Sequence, residues 1–234
     1  MNRYLLILLL ILSYSFSAFS QKQKVKNQPY GDHRLYHFGL VAGLNFQDMI
    51  ITNSGYTGEN GETWFCEIPE YAPGFSVGLL ADLSLNPFIS FRFTPTLHFG
   101  DQKFSFMEEL SGEIYQSTIR SNYLMFPLDV KFSSLRLNNY RPYIIGGIYG
   151  SLNLGRKLDQ AVLISKGDYG LSIGFGCDFY LPIIKVCPEI RFYFGLKDIV
   201  EKDRPDLRDE NMLKYTQSIS KGTFRMIALT FNFE

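Results

Sequence analysis

Cysteine is scarce in this 234-residue chain, tryptophan occurs once, and neither sign of charge is in excess. Cys66, Cys177 and Cys187 form an odd, widely spaced set, which excludes a disulfide framework and offers no zinc-ligand spacing. Lysine plus arginine equals aspartate plus glutamate at 23 each, so no electrostatic case for nucleic acid exists. The three histidines, His33, His37 and His98, complete no Ser–His–acid set. No glycine-rich phosphate loop occurs; the glycines recur with the period of a strand. Beyond the N-terminal twenty residues no apolar run reaches the length of a membrane-spanning helix, which excludes a helical membrane protein. No catalytic, cofactor-binding or metal-binding residues are expected.

What is present begins with an export signal. Met1-Asn2-Arg3 is a short basic start, Tyr4 to Leu12 is apolar, and Ala18-Phe19-Ser20 fits a small-x-small cleavage site. Residues 1–20 are therefore expected to be a signal peptide cut after Ser20. An uncleaved anchor is the alternative, but the run is short and lacks a stop-transfer flank. No cysteine stands at the cut, so a lipid anchor is not expected. Residues 21–36 read as a loose periplasmic lead-in, and residues 37–234 as one domain.

That domain alternates. From Tyr169 to Leu181 one face carries Tyr169, Leu171, Ile173, Phe175, Cys177, Phe179 and Leu181. The other carries Gly170, Ser172, Gly174, Gly176, Asp178 and Tyr180. Successive strand side chains point to opposite faces, so this strand has one large apolar side and one small polar side. Similar stretches run His37–Asp48, Gly74–Leu85, Ile89–Phe106, Glu113–Ser133, Pro142–Leu154, Lys185–Leu196 and Thr223–Glu234. Pro95 removes a ladder hydrogen bond, so a bulge or an unpaired site is expected there. Connections alternate long and short. With 21 Phe and 15 Tyr, rings are abundant enough for interfacial belts. The fold class expected is all-β, an eight-stranded antiparallel transmembrane β-barrel of a Gram-negative outer membrane, both termini periplasmic and lipid its first partner. A soluble sandwich or lipocalin-like barrel is the alternative. There the large aromatic faces would form the core, and the small faces would meet water. The chain also ends in Phe231-Asn232-Phe233-Glu234, which resembles the terminal aromatic strand read by outer-membrane assembly machinery.

The inward faces place Asp82, Arg92, Asp129, Lys131, Asp178, Glu189 and Arg191 inside the barrel. Buried charges require partners. A three-residue turn at Asn86-Pro87-Phe88 sets Asp82 opposite Arg92. A two-residue turn at Ile183-Ile184 would set Asp178 opposite Glu189, with Arg191 as the intervening cation and Lys131 in reserve. A carboxylate pair can do acid–base chemistry. A structural plug of salt bridges is the reading preferred here.

Several phrases carry a resemblance. Tyr123-Leu124-Met125-Phe126-Pro127-Leu128-Asp129-Val130-Lys131-Phe132, Arg141-Pro142-Tyr143-Ile144-Ile145-Gly146-Gly147, Asp178-Phe179-Tyr180-Leu181-Pro182 and Pro188-Glu189-Ile190-Arg191-Phe192-Tyr193-Phe194-Gly195-Leu196 resemble, in order, phrases of the PorT family. Met125 stands where that family often has Glu. The resemblance implies a non-enzymatic outer-membrane barrel required for type IX secretion of cargo with a C-terminal sorting domain. It implies membrane or periplasmic secretion proteins as partners, no cofactor, and no catalytic residue to carry over. A generic barrel for adhesion or envelope integrity, and a lipid-modifying barrel enzyme, are the other readings.

Overall fold

The computed structural model describes residues 26–31, 34–58, 61–70, 72–158, 160–205, 207 and 212–234. The expected signal peptide, residues 21–25 and His33 lie outside the described residues. Among the described residues twelve strands form in chain order. They are β1 (Tyr36–Asn53), β2 (Trp64–Glu70), β3 (Ala72–Ser84), β4 (Ile89–Phe93), β5 (Thr96–Phe99), β6 (Asp101–Glu108), β7 (Ile114–Arg120), β8 (Tyr123–Ser133), β9 (Tyr140–Asn153), β10 (Gly167–Tyr180), β11 (Lys185–Gly195) and β12 (Ile219–Phe233). One short helix, α1 (Leu213–Gln217), precedes β12.

β4 and β5 are two halves of one wall strand. Both pair with β3 and with β8 in unbroken register on either side of the gap at Thr94-Pro95. Proline has no N–H to give, so the ladder lapses without a bulge. The wall is then a ring of eight antiparallel strands in the order β1, β12, β11, β10, β9, β8, β4/β5, β3, closed by β1 against β3. Closure leaves no strand edge exposed to lipid, the condition a spanning sheet has to meet.

Burial identifies what the wall faces. Ile173 is 59% exposed and Ile148 60%, while Arg92 and Asp178 are each 1% exposed. Charges inside and isoleucines outside invert a water-soluble core, and an apolar exterior over most of the wall fits hydrocarbon. The soluble-sandwich alternative fails on this point. The small inward residues admit the close approach of neighbouring strands. A Cβ at Gly43 would sit 2.2 Å from the Leu229 carbonyl oxygen, and one at Gly147 would sit 2.0 Å from that of Leu128.

Several boundaries differ from the sequence reading. β1 extends to Asn53 and β12 begins at Ile219, because both run beyond the ring and pair with each other there. The hairpin expected from Ile89 to Ser133 is continuous in register, but its outer part leaves the wall. There β6 pairs with β7, and β2 adds to β6 as a second sheet of three strands. β2 and α1 lie in stretches read as plain connections. The lead-in is not loose where it is described. Asn27 donates from Nδ2 to the Tyr180 carbonyl at 3.0 Å, and Gln28 from Nε2 to that of Leu181 at 2.9 Å. Arg136 donates to the Gln28 carbonyl at 3.2 Å and stacks 3.6 Å over the Tyr180 ring. These turns flank β9 and β10, across the ring from β1, so residues 26–31 form a strap over the mouth at the end where β1 begins and β12 finishes.

Candidate functional site

The interior has two layers. Toward the short turns lies a lattice of charges; toward the long connections lies an apolar layer. Alternation delivers the charges, since each occupies an inward position of its strand. Arg92 on β4 donates from Nε to Asp82 on β3 at 2.9 Å, the register partner expected from the Asn86-Pro87-Phe88 turn. Its other nitrogens cross the lumen to Glu189 on β11 at 3.4 Å and to Glu234 at 3.0 Å. Lys131 on β8 donates to both Asp178 oxygens on β10, at 2.9 and 2.8 Å, with its ammonium 4.0 Å from the centre of the Tyr143 ring. Arg191 on β11 donates to Asp129 on β8 at 2.7 Å and to Glu189 at 2.8 Å. Ser172 and Tyr143 complete the shell, donating to Asp129 at 2.6 Å and Glu189 at 2.7 Å.

All seven inward charges named from the sequence meet in this lattice, but one pairing differs. The turn between β10 and β11 spans four residues, 181–184, with Tyr180 opposite Lys185. Glu189 therefore faces Gly176, and Asp178 falls two pairs closer to the turn, opposite Cys187. The expected face-to-face carboxylates do not occur. Lys131, the reserve, holds Asp178, while Arg191 holds Asp129 and Glu189. The turn was misread because Leu181 and Pro182 looked like the end of an apolar strand, whereas the Leu181 N–H closes the turn on the Ile184 carbonyl at 3.0 Å.

Two members were missed. Lys185 and Glu234 pair at 2.5 Å, and strand parity placed both inward. Arg92 and Glu189 lie on walls at opposite sides of the ring. The bridges therefore fasten the barrel across its interior and fill it. A cation or carboxylate removed alone would leave its partner charged and dry, which is far costlier than removing both.

The outer layer is apolar and aromatic. Tyr123, Met125, Tyr149, Tyr193, Phe224 and Met226 are buried together. Met125, the departure from the family phrase, is fully buried there, where an unpaired carboxylate would be costly. His98 on β5 is buried; its Nδ1 lies 2.8 Å from the Ser76 hydroxyl. Two long connections fold over this layer. Leu163 accepts from the Glu201 N–H at 2.9 Å, the Ser165 N–H donates to Ile199 at 2.7 Å, and Val162, Ile164 and Val200 point into the core.

Beyond the rim stands the small sheet with α1. Lys214 pairs with Glu62 at 2.9 Å and lies 4.6 Å over the Trp64 ring. The indole N–H of Trp64 and then Lys214 hold the Glu62 carboxyl below its usual range. Burial pushes the Cys66 thiol on β2 up to about 12.

A sealed eight-stranded ring with an apolar exterior and a salt-bridged interior defines a small outer-membrane β-barrel protein. The family model described as outer membrane protein beta-barrel domain matches residues 19–201, and the chain belongs to that family. Among solved structures, the chain is similar to the outer membrane protein OprG from Pseudomonas aeruginosa, at 12% identity over 84% of this chain and 94% of that one, with a TM-score of 0.45. Neisserial surface protein A gives 11% identity, 84% and 97% coverage, and a TM-score of 0.42. Ail, the attachment invasion locus protein of Yersinia pestis, gives 10% identity, 84% and 96% coverage, and a TM-score of 0.36. No curated protein matches the chain.

Proposed function

We propose that this barrel is a non-enzymatic, PorT-like component of type IX secretion, acting through surfaces rather than through a pore. The observation that carries the proposal is where the four resembling phrases lie. They fall on β8, β9, the end of β10 and β11, four consecutive staves, and they include Asp129, Lys131, Asp178, Glu189 and Arg191 of the lattice. The phrases thus cluster on one side of the wall, at the level of its interior fastening, rather than marking scattered surface features. The non-enzymatic part rests on the pairing just described, since every lattice carboxylate is engaged by a cation. Both termini belong to the periplasmic side, because the turns at that end are short and the far connections are long. Partners are other membrane or periplasmic proteins of the secretion machinery, and no cofactor is invoked.

The test is an in-frame deletion. Cargo bearing a C-terminal sorting domain is expected to accumulate in the periplasm and to reach the surface again when the wild-type gene is restored. Normal cargo secretion in the deletion would end the proposal. A deletion that leaves secretion intact but alters the mass spectrum of lipid A would favour the enzyme reading instead.

A further inference from the structure

The outer sheet has one closed edge and one open edge. At β2 the Asn53 side chain accepts from the Cys66 N–H at 3.0 Å and donates to the Cys66 carbonyl at 3.2 Å, sealing that side. At β7 no described strand pairs with the far side.

The ladder shows which main-chain groups are open. Glu108 donates its N–H to the Glu113 carbonyl at 2.9 Å, and Ser121 to that of Gly100 at 2.8 Å. Between them Phe106 faces Tyr115 and Phe104 faces Ser117. Antiparallel bonding residues alternate, so Tyr115, Ser117 and Ile119 bond to β6. Ile114, Gln116 and Thr118 aim their N–H and carbonyl groups outward. Natural edges are protected by proline, lysine or a bulge. Ile114 to Ile119 contains neither residue, and its register is unbroken. One face of this sheet carries a depression of about 410 Å³ that crosses all three strands and is lined by Glu67, Lys103, Ser105, Gln116 and Thr118, among others.

We propose that β7 receives an extended segment of a different polypeptide by strand addition. Main-chain bonds to Gln116 and Thr118 hold it. β-Branched or aromatic residues suit the Ile114 end. The open edge ends at Thr118, because Gly155 lies against the Arg120 carbonyl; an acidic residue opposite Thr118 suits that end, in diagonal reach of the exposed Arg120 side chain. A second copy of this chain does not fit. Two copies inserted the same way in one membrane are related by an axis along its normal, so both hairpins point outward and antiparallel self-pairing is barred. This inference stands apart from the secretion reading.

The experiment uses the full-length protein in lipid nanodiscs. The probe is a fluorescein-labelled peptide copying Asp101–Glu108, the strand that β7 accepts on its other side. Anisotropy is expected to show saturable binding. Thr118→Pro removes an outward N–H and is expected to weaken binding about tenfold or more while leaving the emission of Trp64 unchanged. Should that variant disturb the sheet, peptide N-methylation serves instead. Methyl groups on one alternate set of peptide residues abolish binding by the wild type, and methyl groups on the other set leave it intact. Absence of saturable binding, or equal binding of both methylated peptides, overturns the proposal. A protein dimer that disappears in Thr118→Pro also overturns it, by giving the edge to a second copy.

Discussion

Removing the Lys131 charge alone is the sharpest probe of the lattice. Both Asp178 oxygens lie within 2.9 Å of its ammonium, and both side chains are almost wholly buried. At such a distance the gross attraction is about 6 kcal/mol for an effective dielectric near 20, before desolvation is subtracted. Lys131→Met keeps the hydrocarbon stem beside Tyr143 and leaves Asp178 charged without its nearest cation. The expected loss is about 3–5 kcal/mol, as for other buried pairs broken on one side. Asp178→Asn strands Lys131 and is expected to cost a similar amount. The double variant leaves neither charge alone, so its loss falls short of the sum by about 2 kcal/mol or more. The assay is urea unfolding in lipid vesicles followed by far-ultraviolet circular dichroism. Single substitutions costing under about 1 kcal/mol, or strictly additive losses, would refute a dry lattice and imply a water-filled lumen.

Other outcomes follow from the same geometry. Gly147→Ala places a Cβ 2.0 Å from the Leu128 carbonyl oxygen and 2.9 Å from Asp129 Oδ1, so folded, heat-modifiable barrel is expected to be largely lost in gel-shift assays. Cys66 has a thiol pushed up to about 12 by burial, so it resists maleimide at neutral pH and reacts on unfolding. Because its folded value is raised, its contribution to stability is complete below the unfolded value near 9 and fades as pH rises toward 12. Trp64 lies on the same strand and is the only tryptophan, so its emission is expected to report loosening of the outer sheet over that range, and Cys66→Ala to flatten part of the response. Arg136→Ala removes the clamp on residues 26–31, so trypsin is expected to cut after Lys26 faster in the detergent-solubilised barrel, with no change in barrel melting.

The wall was legible in the sequence because a strand has a period of two and lipid imposes the opposite sorting to water. Leu171, Ile173 and Phe175 beside Ser172, Gly174 and Asp178 carry both facts at once. The Asp82–Arg92 pair was legible because Asn86-Pro87-Phe88 fixes one turn and hence one register. The β10–β11 turn was not, since Leu181, Pro182, Ile183 and Ile184 are all apolar or rigid, and nothing local separates a two-residue turn from a four-residue one. The outer sheet escaped for another reason. β2 contributes Trp64 and Cys66 to a core built by distant segments, among them Tyr215 and Phe106, so its pattern is meaningful only once those segments meet. The strap escaped because Asn27 and Gln28 are held through main-chain and amide contacts, which leave no hydrophobic period.

Nitroxide scanning of residues 171–176 in lipid bilayers tests the inverted wall most directly. Labels at positions 171, 173 and 175 are expected to relax strongly with oxygen and weakly with a water-soluble nickel chelate, while those at 172 and 174 respond weakly to both. Strong nickel relaxation at positions 171, 173 and 175 would put water where the fold requires hydrocarbon.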